Sequence, residues 1–256
     1  MAGPPEILDV DGIPIAVRAR PGRTPGLAWL GGYRSDMMGT KAEALDGWAE
    51  RHGHAYVRHD YSGHGESGGL FTDGTISRWL AESLAVLNSF TQGPQILVGS
   101  SMGGWIALRM IQELRKAGDE GRVAGLILLA PAPDFTMELM EPQLTDEQRR
   151  DIEERGFMEE KSDYSDEPNI YTRALFVDGR QNRVLQGLIE TGCSVHIIQG
   201  MNDPDVPYSH AEKLVRHLPV CDVTLSLVRD GDHRLSRPQD IDMLLRAVDE
   251  MVALAG

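Results

Sequence analysis

Short runs of apolar residues recur along the chain, separated by longer stretches in which apolar positions return every three or four residues. The short runs predict strands at Ile15–Arg18, Gly26–Leu30, Ala55–His59, Gln95–Gly99, Val123–Leu129, Ser194–Gln199 and Val223–Val228. The longer pattern predicts helices at Thr40–Arg51, Ile76–Ser89, Gly103–Lys116, Ser209–Arg216 and Gln239–Leu254. Several strand runs are apolar without alternation, as strands covered on both faces should be. Strand alternating with helix implies an α/β fold, with a mostly parallel central sheet carrying helices on both faces. Residues 134–178 break this rhythm. They are acidic and helical at first, with Thr145-Asp146-Glu147-Gln148 resembling a helix start, then loop-like through Ser162–Pro168. A stretch so long without an obvious sheet strand predicts a small helical lid inserted into one domain spanning residues 1–256.

Composition narrows the picture. A chain of 256 residues suits one large α/β domain. The formal net charge of −14 argues against nucleic acid or an anionic membrane surface as a partner. Cys193 and Cys221 sit in or beside strand-like runs and read as two buried thiols rather than a disulfide framework or zinc site. His52, His54, His59 and His64 match no familiar ligand spacing, so no metal is expected. Met1–Val10 lacks a basic segment followed by an apolar run. The longest apolar stretch, Val123–Ala132, falls short of the roughly 20 residues of a membrane span, so the expected location is cytoplasmic.

The chemistry begins at Gly99-Ser100-Ser101-Met102-Gly103, a G-x-S-x-G pattern centred on Ser101 between a strand and a helix. A turn tight enough to lift a serine hydroxyl above the sheet needs glycine two residues to either side. Serine is a poor nucleophile without a base. In this arrangement the acid and then the histidine follow the serine along the chain. His233, in the turn-rich Arg229-Asp230-Gly231-Asp232-His233 after the last strand, is the candidate base. His210 and His217 share one helix and read as surface positions. The acid belongs to Gly200-Met201-Asn202-Asp203-Pro204-Asp205-Val206-Pro207, where Asp203 is favoured over Asp205, with Asp134 a remote third. The oxyanion donors expected are the backbone N–H groups of Met102 and of Tyr33, with Gly32 the nearest alternative to Tyr33. Asp60-Tyr61-Ser62-Gly63-His64-Gly65-Glu66-Ser67 reads as a tight turn, a scaffold near the site.

Gly32-Tyr33 with Gly39-Thr40-Lys41-Ala42, Asp60-Tyr61-Ser62-Gly63, Gly99–Trp105, Gly200–Asp203 with Val206-Pro207, and Asp232-His233-Arg234 together resemble the α/β-hydrolase superfamily over nearly the whole chain. More narrowly they resemble its group of mitochondrial palmitoyl-protein thioesterases and acyl-glucuronide esterases with their bacterial relatives. The resemblance implies the α/β-hydrolase fold, a triad of Ser101, Asp203 and His233, and hydrolysis of carboxylic esters or thioesters without a cofactor. The substrate would be a small ester or thioester, or an acylated protein. Met137, Leu139, Met140, Phe157 and Met158 in the expected lid suit an acyl-binding groove. Two other readings remain: a non-catalytic binding module of the same fold, and a triad enzyme acting on peptide or C–C bonds.

Overall fold

The computed structural model describes residues 3–161, 168–218 and 222–255. Cys221 and Ser162–Glu167 of the expected loop lie outside the described residues, and Cys193 is half-buried rather than buried. Ten strands and seven α-helices are described. In chain order they are β1 (Glu6–Val10), β2 (Ile13–Arg20), β3 (Arg23–Leu30), α1 (Thr40–His52), β4 (His54–His59), α2 (Ile76–Phe90), β5 (Gln95–Ser100), α3 (Met102–Lys116) and β6 (Val123–Leu129). Then come α4 (Asp146–Glu154), β7 (Phe157–Glu160), β8 (Asn169–Thr172), α5 (Arg173–Gln181), β9 (Ser194–Gly200), α6 (Tyr208–Arg216), β10 (Val223–Val228) and α7 (Pro238–Ala255).

Eight strands form one sheet in the order β1-β2-β4-β3-β5-β6-β9-β10. Pairing is antiparallel for β1/β2 and β2/β4 and parallel from β4 onward. The unbroken apolar runs follow from burial on both faces. In β5, Leu97 enters one core while Ile96 and Val98 enter the other; in β6, Leu126 and Leu128 oppose Ile127 and Leu129. The first core also takes Trp79 of α2, Trp105 of α3 and Leu214 of α6. The second takes Leu45 and Trp48 of α1 and Leu244 and Val248 of α7. Helices therefore cover both faces, as the sequence predicted.

Topology fixes where a site can form. The chain leaves β3 toward its neighbour β4 and then crosses over to β5 on the other side. Connections that depart in opposite directions open a crevice at the carboxyl ends of the strands. Gly31-Gly32-Tyr33 after β3 and Ser101 after β5 lie at that crevice.

Two expectations change. β1 was not expected: it is an edge strand with Ile7 exposed, held by its antiparallel ladder to β2. The stretch 134–178, expected to lack strands, contains an antiparallel hairpin, β7/β8, besides a wide-turn helical segment at Thr136–Met140 and α4. The helix start at Thr145 is a reciprocal capping box: Thr145 Oγ1 accepts the Gln148 N–H and Gln148 Oε1 accepts the Thr145 N–H.

Candidate active site

Ser101 stands between β5 and α3 with φ 53° and ψ −119°. Left-handed backbone at a non-glycine residue costs roughly 1–3 kcal/mol and survives only where its surroundings enforce it. They do so here. A Cβ at Gly99 would lie 2.5 Å from Gly103 O, and a Cβ at Gly103 would lie 2.0 Å from Leu30 O, so only glycine lets strand and helix meet this closely. The Ser101 N–H donates to Leu129 O at 2.9 Å, and Ser101 O accepts the Ala132 N–H at 3.1 Å, which ties the turn to the end of β6.

Ser101 Oγ lies 3.1 Å from Nε2 of His233, and Nδ1 of His233 lies 2.8 Å from Oδ2 of Asp203. A carboxylate can only accept, so Nδ1 carries the proton and Nε2 is left to accept from the serine hydroxyl. The three residues named from sequence order are thus brought into one hydrogen-bonded chain. Asp203 is buried and fully used: Oδ1 accepts the Asp205 and Val206 N–H groups, and Oδ2 accepts Gln199 Nε2 besides His233. The acid and base loops are fastened directly, since Asn202 N–H donates to Gly231 O at 2.9 Å.

The competing residues have other partners. Asp205 is exposed. Asp134 is buried, with its carboxylate accepting the Val184 and Leu185 N–H groups, and burial pushes its pKa up. His210 is buried rather than on the helix surface, its Nε2 bonded to Pro133 O, while His217 closes α6 and bonds Gly187 O. His52 bonds Trp48 O, His54 bonds Pro25 O and accepts from Arg23, and His59 bonds Ser83. Among the described residues, the metal-type grouping the fold assembles is Asp203, Asp205 and His233, with ligand atoms within 4.8 Å of one another. Each Asp203 oxygen already accepts two hydrogen bonds, and His233 Nδ1 bears the hydrogen it donates to Oδ2, so these atoms are engaged in a hydrogen-bond network.

A cavity of about 460 Å³ opens above Ser101 and His233. Tyr33 and Met102 line it, as do Phe135, Leu139, Met140, Leu144, Met158 and Tyr171 from the 134–178 stretch. Of the residues expected in a groove there, Leu139, Met140 and Met158 reach the cavity. Met137 instead packs against the first core, and Phe157 lies under the Arg155 guanidinium. Gly32 also borders the site: a Cβ there would stand 3.4 Å from Ser101 Cβ. Tyr33 Oη donates to Ile170 O, and its ring stacks on Tyr171 at 5.1 Å, so the loop after β3 holds the hairpin.

Sequence reasoning passed over Gln199. Its Nε2 donates to Asp203 Oδ2, Gly200 O and Val206 O, fixing the acid loop from the end of β9. A glutamine closing the strand-like run Val195–Ile198 was the available signal.

Known proteins agree with this architecture. Residues 21–243 match the model of the alpha/beta hydrolase family. The human mitochondrial palmitoyl-protein thioesterase ABHD10 is 31% identical over 239 residues, covering 93% of this chain and 76% of that protein. A crystal structure of a putative hydrolase from Agrobacterium vitis S4 is 58% identical, with a TM-score of 0.92 over 98% of this chain and all of that one. Mouse alpha/beta hydrolase domain-containing protein 10 superposes with a TM-score of 0.87 at 29% identity over 99% of this chain and 100% of that one. Among the described residues no helix is long and apolar enough to cross a membrane. The chain belongs to the alpha/beta hydrolase family and is a homologue of ABHD10.

Proposed function

We propose that this chain is a serine hydrolase that cleaves carboxylic esters or thioesters through an acyl-enzyme. The observation that carries the reading is the chain of contacts from Ser101 Oγ through His233 to Asp203, at 3.1 and 2.8 Å. Ser101 Oγ attacks the acyl carbon while its proton passes to His233 Nε2. The tetrahedral oxyanion is received by the N–H of Met102, at the N-terminus of α3, and that of Tyr33. Collapse expels the alkoxide or thiolate, which takes the proton from His233. Water then gives a proton to His233 and attacks the acyl carbon, and Ser101 leaves with that proton restored. Asp203 holds the imidazole in the tautomer this needs and stabilises its charged form.

Residues 134–178 act in this reading as the lid. The apolar side chains it contributes to the cavity suit an acyl group, as does the thioesterase activity in the name of the human relative. The substrate is a small ester or thioester, or an acylated protein.

Replacing Ser101 by Ala should lower turnover of p-nitrophenyl butyrate by at least about 10⁴-fold and abolish labelling by a fluorophosphonate probe. Full activity in the variant would remove Ser101, and with it the mechanism.

A further inference from the structure

The turn Asp60–His64 holds the loop that follows β3 from three points. Tyr61 Oη donates to Gly31 O at 3.2 Å, His64 Nε2 accepts the Arg34 N–H at 3.2 Å, and Asp60 Oδ1 accepts the Met37 N–H at 2.6 Å. The middle contact adjoins Tyr33. Arg34 has φ +56°, a left-handed conformation that a residue with a Cβ keeps only when something holds it.

We infer that His64 is a positioning residue for the oxyanion hole, its bare Nε2 gripping the Arg34 N–H so that the neighbouring Tyr33 N–H points at the substrate oxyanion. The inference rests on the serine-hydrolase reading above. Its chemistry is specific to a neutral imidazole of one tautomer. Nδ1 lies 3.1 Å from Ser62 O, an oxygen that only accepts, so Nδ1 bears the hydrogen and Nε2 is the acceptor. The ring is buried, with edge-on contacts to Phe71 at 5.1 Å, Trp79 at 5.4 Å and Tyr61 at 5.6 Å, so it has no freedom to turn away. Burial foremost, and then the Arg34 charge, push its pKa down to about 4, which keeps the acceptor lone pair available at neutral pH. Protonation would place two donors face to face.

The test separates geometry of the hole from bulk stability. His64→Leu removes the acceptor, whereas His64→Gln offers Oε1 in its place. In His64→Leu, kcat should fall about 10- to 100-fold with KM unchanged. Affinity for a trifluoromethyl ketone, whose adduct with Ser101 carries the oxyanion, should weaken by the same factor. Inhibition by the product acid, which lacks that oxyanion, should not change, and the low-field Nδ1–H resonance of His233 should persist. His64→Gln should recover most of both losses. Unchanged ketone affinity in His64→Leu, a loss confined to KM, or no rescue by glutamine would overturn the inference. Should His64→Leu fail to fold, His64→Met, which also lacks the imidazole acceptor, serves in its place: it should show the same loss in kcat and ketone affinity, and wild-type values would overturn the inference equally. A wild type that hydrolyses no ester and resists fluorophosphonate at Ser101 would bring down the hydrolase reading, and this inference with it.

Discussion

Gly103→Ala measures how closely α3, the helix that follows Ser101, must approach the sheet. The new Cβ would sit 2.0 Å from Leu30 O and 2.6 Å from Gly31 O. Both are backbone atoms on the segment that leads into Tyr33, so no flexible side chain can yield. Real Cβ contacts essentially never fall below 3.0 Å, so α3 and the end of β3 have to part by about 1 Å. That gap opens between the two halves of the proposed oxyanion hole, Met102 on one side and Tyr33 on the other. A misplacement of that size costs on the order of 10²-fold in rate, about 2.7 kcal/mol of transition-state stabilisation. Overpacking also destabilises the fold by ~1–3 kcal/mol, which lowers the melting temperature by several degrees. The assay is p-nitrophenyl butyrate hydrolysis by enzyme counted with a fluorophosphonate titrant, alongside calorimetry. Gly121→Ala is the control, since nothing lies within 4 Å of a Cβ there and its backbone is not left-handed. A Gly103→Ala enzyme with wild-type kcat and an unchanged melting temperature would refute the argument.

Gln199→Leu takes from Asp203 Oδ2 one of its two side-chain donors and leaves the Gly200 and Val206 carbonyls short of a partner. We expect kcat to drop about tenfold and stability to fall by ~1–3 kcal/mol, both read on the purified variant. Lys41→Met removes the ammonium that bonds Arg234 O and Ser236 Oγ in the loop bearing His233, a group whose pKa burial lowers to about 8. Turnover should fall severalfold with KM preserved; unchanged kcat would show that this loop needs no brace. Stability should also depend on pH through His59 and His64, whose pKa values burial lowers to about 4. The native state binds fewer protons than the unfolded chain between that value and the ordinary histidine range near pH 6.5, so stability is lost as pH falls through that window. Each residue accounts for roughly 3 kcal/mol of the effect. Urea midpoints from pH 7 to pH 4 should decline steeply, and His64→Gln should remove part of the slope.

What the sequence displayed follows from which forces are local. The strands β3, β5 and β6 were legible because each buries both faces, with Leu27 and Trp29 entering one core and Ala28 and Leu30 the other, so the run has no polar gap. β1 was not, because its stabilisation is a backbone ladder to β2 beneath half-exposed or exposed side chains. The β7/β8 hairpin escaped for a similar reason: Met158 is buried, whereas Glu159 and Glu160 are exposed, Glu160 at the rim of the cavity, and the acidic pattern reads as helix or loop.

The same division runs through the site. Ser101 announces itself because a left-handed residue between a strand and a helix demands Gly99 and Gly103, and that demand is written within five positions of one another. His233 and Asp203 follow from chain order once the serine is fixed. The support around them is written in pairs far apart in sequence: His64 with Arg34, Tyr61 with Gly31, Asp60 with Met37. A side chain that accepts from a distant backbone N–H leaves no periodicity, and a buried neutral histidine looks in sequence like any other histidine. The groups proposed to react are therefore easier to read than the groups proposed to aim them. Since a displacement of ~1 Å is worth about 10²-fold in rate, the part hidden from sequence still governs a substantial share of the chemistry. Two chains sharing the serine, aspartate and histidine but differing at the position of His64 should accordingly differ in kcat far more than in KM.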